Sequence, residues 1–310
     1  METTAVILEE PGRLTLGRLP LDPAGQGDLL VETVFSGIST GTEKLLVTGQ
    51  MPPFPGLGYP LVPGYESVGR VLEGAGDFAE GDKVFIPGAR CYGAVRGLFG
   101  ATASHIVLPA DRAVRLPKSV GEEGVLIALA ATAYHALFDR GALALPDLII
   151  GHGVLGRLVA RIAVALGGKP VVHEIEAARH SGALGYTVAM PEHDEGRYNR
   201  ILDASGADGI LDTAIPRLNR GGEIVLAGFY AQPVAFAFPP AFMREARLRI
   251  AAEFTPEDLT AVTALVAEGR LSLAGLVTHT MPSANAPAAY GTAFQDAVCL
   301  KMIIDWRKPA

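Results

Sequence analysis

The stretch Asp147-Leu148-Ile149-Ile150-Gly151-His152-Gly153-Val154-Leu155-Gly156 constrains this chain more than any other. A short apolar run leads into Gly-x-Gly-x-x-Gly and then into the helix-like segment Arg157 to Leu166. Strand, tight turn and helix in that order are what a dinucleotide-binding βαβ unit requires. The first glycine permits the turn, the second lets a pyrophosphate approach the backbone, and the third lets the helix pack closely on the strand. The helix N-terminus then offers free N–H groups to the phosphates. Gly151, His152, Gly153, Val154, Leu155 and Gly156 are therefore candidate cofactor-binding residues. His152 either hydrogen-bonds a phosphate or points to solvent. A second apolar run, Pro170-Val171-Val172-His173-Glu174, ends in an acid 18 positions after Gly156. A carboxylate there accepts hydrogen bonds from ribose hydroxyls, or else it is a solvated strand end; the first reading favours NAD over NADP. Glycine supplies 37 of the 310 residues, so the triplet carries weight only because strand, helix, strand and acid follow in order.

Composition narrows the remaining classes. The length and the 49% hydrophobic content allow two domains with buried cores. A net charge of −7 without any basic cluster argues against a nucleic-acid partner. Only Cys91 and Cys299 are present, too few for a disulfide framework or a cysteine-based structural zinc site. The first ten residues lack a basic n-region and a long apolar core, and no run reaches the roughly 18 apolar residues of a membrane span. The expectation is a cytoplasmic protein with no membrane span, contact with a membrane surface being left open.

Along the chain, residues up to about 120 are rich in Gly and Pro, with short β-branched or alternating runs at Leu29 to Phe35, Ser67 to Leu72, Lys83 to Pro87 and Ser104 to Leu108. This predicts a compact β-rich domain. Around Glu122 the texture turns Ala- and Leu-rich, and from Leu148 to about Glu253 six short apolar runs interleave with helical segments. Those include a short helix near Ala177–Leu184 and another near Gly209–Leu218. An α/β fold with a parallel doubly wound sheet follows. Residues 1–124 are expected to form the β-rich domain and 125–254 the nucleotide-binding domain. Residues 255–310, with an amphipathic helix at Thr255 to Gly269 and a strand at Lys301 to Trp306, are expected to return and complete the first. The Met51 to Pro60 segment, with four Pro, two Gly, Phe54 and Tyr59, must be a loop. It either covers the β core or forms an apolar lip for a ligand.

Several segments together resemble the medium-chain dehydrogenase/reductase superfamily, which joins a GroES-like β-rich catalytic domain to a Rossmann doubly wound parallel sheet. They are Ser36-Gly37-Ile38 before a Gly-Thr-Glu, Pro63-Gly64-Tyr65-Glu66-Ser67-Val68-Gly69-Arg70-Val71, Gly81-Asp82-Lys83-Val84, Thr132-Ala133-Tyr134-His135-Ala136-Leu137 and Asp203-Ala204-Ser205-Gly206. More narrowly, Ser36 to Lys44, Met51 to Pro60 and Gly64-Tyr65-Glu66 resemble the 3-hydroxyethyl bacteriochlorophyllide a dehydrogenase family of bacteriochlorophyll synthesis. That resemblance implies NAD-dependent oxidation of a hydroxyethyl group on a chlorin to acetyl. It also implies cofactor contacts at Thr132, Ser205 and Gly206, although Thr132 can equally be a helix-packing residue. His135 reads as an interior helix residue and His105 as structural.

Departures from the zinc-dependent members bear on mechanism. Those carry a Cys after Gly-Ile, a His in Gly-His-Glu, and a third ligand, often Cys or Glu. Here stand Ser39, Tyr65 and the alanine-rich segment 128–131, and the four-cysteine lobe is replaced by a short loop through Cys91, Tyr92 and Gly93. A hydroxyl, a phenol and a methyl do not replace thiolates and an imidazole on zinc. The expected enzyme is zinc-free, with no metal site. Tyr65 is expected to hydrogen-bond the substrate oxygen, with Thr42 or Ser39 passing the proton outward; Glu66 is expected to serve structure or orientation and, if buried, to need a basic or hydroxyl partner. Alternatively, Tyr65 only fills the volume of a lost metal site. The rival functions are a zinc-free quinone or enone reductase using NADPH, and a non-catalytic dinucleotide-binding protein. The apolar run Phe229 to Phe238 is a candidate edge for a homodimer.

Overall fold

A computed structural model describes residues 1–53, 55–230 and 232–307. Phe54, within the proline-rich loop, and Ala231, within the candidate dimer edge, lie outside the described residues, as do residues 308–310. The chain divides into two compact units, residues 1–128 with 274–310, and residues 129–273.

The first unit is built on two sheets. The larger runs His279–Pro282, Met302–Asp305, Asp28–Ile38, Ser67–Glu73, Lys83–Ile86 and Val114–Arg115, with His105–Pro109 also pairing to Asp28–Ile38. The smaller runs Arg13–Pro20, Glu2–Glu10, Leu61–Val62 and Arg96–Gly97. Leu29, Val31, Val71, Val84, Ile86, Ile106 and Leu108 fill the core between strands, the alternation of apolar residues having already marked those strands. One register decides the chemistry. Ile38 pairs with Met302, and Ser36 with Ser67, so three hydrogen-bonded strands begin or end side by side. The residues just beyond those ends, Ser39, Glu66 and Lys301, are brought together although they are far apart in sequence.

The second unit holds a six-stranded parallel sheet in the order Thr187–Ala189, Val171–His173, Leu148–Ile150, Tyr198–Asp203, Leu218–Leu226, Arg247–Ile250. The chain winds outward in one direction from Leu148–Ile150 and then in the other from Tyr198–Asp203. The crevice at the C-terminal ends of those two strands is the topological switch point, where ligands of this architecture bind.

Three sequence expectations change in detail. The expected helix over 177–184 is only a 3-10 turn, Ala177–Arg179, because Gly182 and Gly185 take positive φ and end it. The amphipathic helix Pro256–Ala267 groups with the second unit rather than with the returning segment, which starts at 274 instead of 255. His135 Nδ1 bonds Asp258 at 2.8 Å, and Arg161 donates to the Ser272 carbonyl at 2.9 Å, tying that helix and the chain after it to the sheet unit. Finally, none of the described residues of the run from Phe229 to Phe238 lies in a strand. Phe238 opens the helix Phe238–Arg244, and Arg247–Ile250 is the sheet's outer strand.

Candidate functional site

The glycine turn lies at the switch point, and its sterics explain its sequence. A Cβ at Gly156 would stand 1.9 Å from the Gly151 carbonyl oxygen, so no other residue fits without moving the turn. Gly151 has φ +96° and sits against Ser205, where a Cβ would meet backbone at 3.1 Å. Gly153, by contrast, faces open space and forms the N-cap of Val154–Ala165 with no side-chain cap. Free helix N–H groups and an unfilled approach are the features a phosphate-binding turn needs. Val154 is buried and Leu155 half-buried.

His152 meets neither sequence expectation. It is fully buried, with Nδ1 at 2.6 Å from the Arg179 carbonyl and Nε2 at 2.8 Å from the Tyr186 hydroxyl. Burial, aided by the charge of Arg157, pushes its pKa down to about 4, so the ring is a neutral strut. Glu174 is likewise no solvated strand end. It is buried, and its two oxygens accept the backbone N–H groups of His152 and Glu176, each at 2.8 Å. Its carboxylate thereby fixes the turn from behind. Asp203, fully buried, accepts from the Ser205 and Gly206 N–H groups, from Ser205 Oγ at 2.6 Å and from the Tyr230 hydroxyl. It holds the adjacent Ser205–Gly206 turn in place. Thr132 is half-buried within the helix Ile127–Ala136.

In the first unit, the Tyr65 hydroxyl donates to Ser39 Oγ at 2.7 Å, and the Thr42 hydroxyl also lies within hydrogen-bonding reach. Thr42 opens the helix Thr42–Thr48, and the Tyr65 ring stands edge-on to Phe99 with centroids 5.3 Å apart. Desolvation first, then the charge of Glu66, push the Tyr65 pKa above the ordinary phenol value. Tyr65 is a phenol, not a phenolate, at neutral pH.

Glu66 is fully buried, and Lys301 Nζ donates to its Oε2 at 2.6 Å and to the Ile38 carbonyl at 3.2 Å. Glu43, also fully buried, accepts from the Ser39 N–H at 3.3 Å and pairs with the Tyr290 hydroxyl at 2.6 Å. Lys301, Tyr290 and the placement of Glu43 escape sequence reasoning. One signal was present: Lys301 interrupts the apolar run 299–304, and a lysine within a buried strand demands an acid. In the proline-rich loop, Met51, Leu57 and Tyr59 pack around Leu8, Leu46 and Leu61, and the Tyr59 hydroxyl reaches the Leu46 carbonyl.

Ser39 and Tyr65, the two residues that the resemblance to zinc-dependent dehydrogenases sets at ligand positions, are hydrogen-bonded to each other. A serine hydroxyl and a neutral phenol do not match the donors zinc selects. Among the described residues, no group of three or more His, Cys, Asp or Glu side chains is arranged to hold a metal ion.

Residues 25–118 match the alcohol dehydrogenase GroES-like domain family. The 2-desacetyl-2-hydroxyethyl bacteriochlorophyllide A dehydrogenase of Cereibacter sphaeroides is 57% identical, covering 100% of both chains. The enzyme of the same name from Rhodobacter capsulatus is also 57% identical, over 99% of each. The chain belongs to the bacteriochlorophyllide a dehydrogenase family. It is an oxidoreductase acting on a CH–OH group. Among solved structures, L-idonate 5-dehydrogenase from Escherichia coli K-12 superposes with a TM-score of 0.86 at 18% identity over 99% of each chain. An alcohol dehydrogenase from Escherichia coli CFT073 in complex with NADH gives 0.82 at 19% identity, covering 98% of this chain and 99% of that one. A dehydrogenase from Sinorhizobium meliloti 1021 bound to NADP gives 0.82 at 20%, covering 99% and 100%. At such identities these establish the fold, a GroES-like β unit with a Rossmann-like parallel sheet. Among the described residues, no helix is long and apolar enough to cross a membrane.

Proposed function

We propose that this chain oxidises the 3-(1-hydroxyethyl) group of a bacteriochlorophyllide to acetyl, using NAD⁺ and no catalytic zinc. The observation that supports the zinc-free part is the Tyr65–Ser39 hydrogen bond between a neutral phenol and a hydroxyl, neither of them a donor that zinc selects. The substrate class comes from the two relatives identical at 57% over essentially their whole length. A bound nicotinamide would supply the hydride acceptor, so the hydroxyl proton would have to leave separately. Tyr65 donates its own proton to Ser39, which leaves its oxygen lone pairs to accept the substrate O–H. A neutral phenol so placed passes a proton in one concerted shift rather than holding a standing charge. Buried Ser39, or Thr42 at the half-buried start of the helix Thr42–Thr48, hands it outward.

Gly151 and the backbone from Gly153 to Gly156 would hold the pyrophosphate, with His152 bracing the turn from within, and Thr132, Ser205 and Gly206 the nicotinamide half. Glu174 supports NAD over NADP, since a carboxylate at that strand end repels a 2′-phosphate. Tyr65→Phe and Thr42→Val test the relay. Full turnover in both variants, with normal NAD⁺ affinity, would eliminate it.

A homodimer accompanies this reading. Among the described residues the strand Arg247–Ile250 is paired on one side only; its Ile250 and, on the preceding helix, Phe238, Phe242 and Met243 are each at least 66% exposed. An open strand edge flanked by aromatics suits a second copy of the same sheet. Sedimentation should give a dimer for the wild type and a monomer for Ile250→Lys; a monomeric wild type would refute the pairing. Location in the cytoplasm, at or away from a membrane surface, completes the proposal.

A further inference from the structure

Two carboxylates are fully buried behind Ser39, and they are stabilised in opposite ways. Glu66 faces an ammonium, Lys301, at 2.6 Å. Glu43 has no ion pair among the described residues; it has one N–H and one phenol. Burial is the main force on its carboxyl and the nearby charge of Glu66 adds to it. The bonds to Tyr290 and Ser39 and the charge of Lys301 oppose them, and the balance pushes the pKa up to about 8. At neutral pH Glu43 is mostly an uncharged acid, so the contact with Tyr290 can be donated from either side.

The geometry makes a chain. Tyr290 sits on the helix Ala286–Gln295 and is 1% exposed, packed among Val6, Ile38, Met302 and Ile304. Its hydroxyl meets Glu43 Oε2; Glu43 Oε1 accepts the Ser39 N–H; Ser39 Oγ accepts the Tyr65 proton. The helix after this turn begins at Gly41 with no side-chain cap, and it is the Glu43 carboxyl that takes the Ser39 N–H. We propose that Glu43, braced by Tyr290, is a positioning residue of the oxidation site, fixing the Ser39 backbone and thereby holding the Tyr65 hydroxyl on its acceptor. The proposal rests on the Tyr65 reading above. Packing of a helix 247 residues away in sequence is thus carried to the reacting hydroxyl. A displacement of about 1 Å at such a group costs on the order of 10²-fold in rate. Keeping Glu43 neutral also spares Tyr65 a second negative neighbour. The titratable groups facing Glu43 are Tyr290, Glu66, Lys301 and Tyr65.

The test is steady-state kinetics of the full-length protein with NAD⁺ and a hydroxyethyl chlorin between pH 6.5 and 9.5, using Glu43→Ala, Glu43→Gln, Tyr290→Phe and Tyr65→Phe. Glu43→Ala is expected to lose about 10²-fold in kcat with little change in either KM. Glu43→Gln, which keeps both hydrogen bonds and carries no charge, should recover most of that loss. Its kcat relative to wild type should rise with pH, since only the wild type ionises at this position. Tyr290→Phe should fall between the two. Loss of activity in Tyr65→Phe, with kcat of folded Glu43→Ala unchanged or the glutamine variant parallel to wild type at every pH, would overturn the positioning role alone. Full activity in Tyr65→Phe would overturn the Tyr65 reading and this proposal with it. Should Glu43→Ala not fold, the glutamine and Tyr290→Phe profiles decide by the same criteria.

Discussion

The glycine turn of the sheet unit and the buried polar cluster of the β unit are both rigid, but they are made rigid differently. The turn comes from consecutive residues under backbone sterics: Gly156 is required because any Cβ would strike the Gly151 carbonyl. The cluster comes from register. Ser39, Glu66 and Lys301 meet only because Ile38 pairs with Met302 and Ser36 with Ser67. A local device tolerates almost nothing at one position, whereas a device assembled from strand ends can exchange its chemistry residue by residue while the strands stay put. That contrast fits a chain whose glycine turn is fixed by sterics at Gly156 while a hydroxyl and a phenol stand at the strand ends of the other unit.

Variants should separate the two regions. The largest effect is expected in Tyr65→Phe, with turnover lower by about 10²- to 10⁴-fold, the usual worth of a positioned proton-transfer group, and unchanged NAD⁺ binding by fluorescence titration. Equal loss of NAD⁺ binding would mean that the regions are not separable in this way. Next is Lys301→Met, which leaves Glu66 buried without its cation. Breaking a buried pair costs about 3–5 kcal/mol, seen as a lower urea midpoint, and adding Glu66→Gln should restore most of it. Gly156→Ala attacks the other region. Overpacking costs about 1–3 kcal/mol, expected as dinucleotide binding weakened by roughly ten- to a hundredfold, with the urea midpoint falling far less than in Lys301→Met.

A further effect is in pH, and its sign differs between the regions. Glu43 has a folded pKa of about 8 against an ordinary 4.5, so the unfolded chain releases that proton first. Its contribution to stability therefore falls as pH rises from about 4.5 through 8. His152 is depressed to about 4 from 6.5, so the unfolded chain takes up the proton first, and stability falls as pH drops from 6.5 through 4. In melting temperatures across pH, Glu43→Gln should flatten the decline on raising pH from about 4.5 through 8, and His152→Gln the decline on lowering it from 6.5 through 4. Curves parallel to wild type in both variants would show that these groups do not titrate as described.

The same contrast explains what the sequence could disclose. The six parallel strands, the glycine turn and the β-rich unit follow from local apolar periodicity and glycine placement, which are written consecutively. Glu174 was legible as an acid at the right spacing, but not as the group that fixes the turn, because its partners are backbone N–H groups of His152 and Glu176. His152 was illegible for the same reason, since Tyr186 and the Arg179 carbonyl reach it only in the fold. Ser39 and Tyr65 were visible as departures from a familiar pattern. Tyr290 and Lys301 depend on a helix and a strand returning more than 230 residues later, and no local pattern announces where those side chains arrive. The boundary at 273 was missed because an amphipathic helix does not state which sheet it will cover.

The most direct measurement is an absorbance-monitored turnover assay of chelator-treated protein, shown to be zinc-free, with a hydroxyethyl chlorin and either NAD⁺ or NADP⁺. The account predicts a shift of the pigment band to that of the acetyl product with NAD⁺, together with stoichiometric NADH, and little reaction with NADP⁺. Turnover that appears only when zinc is restored, or only with NADP⁺, would contradict it.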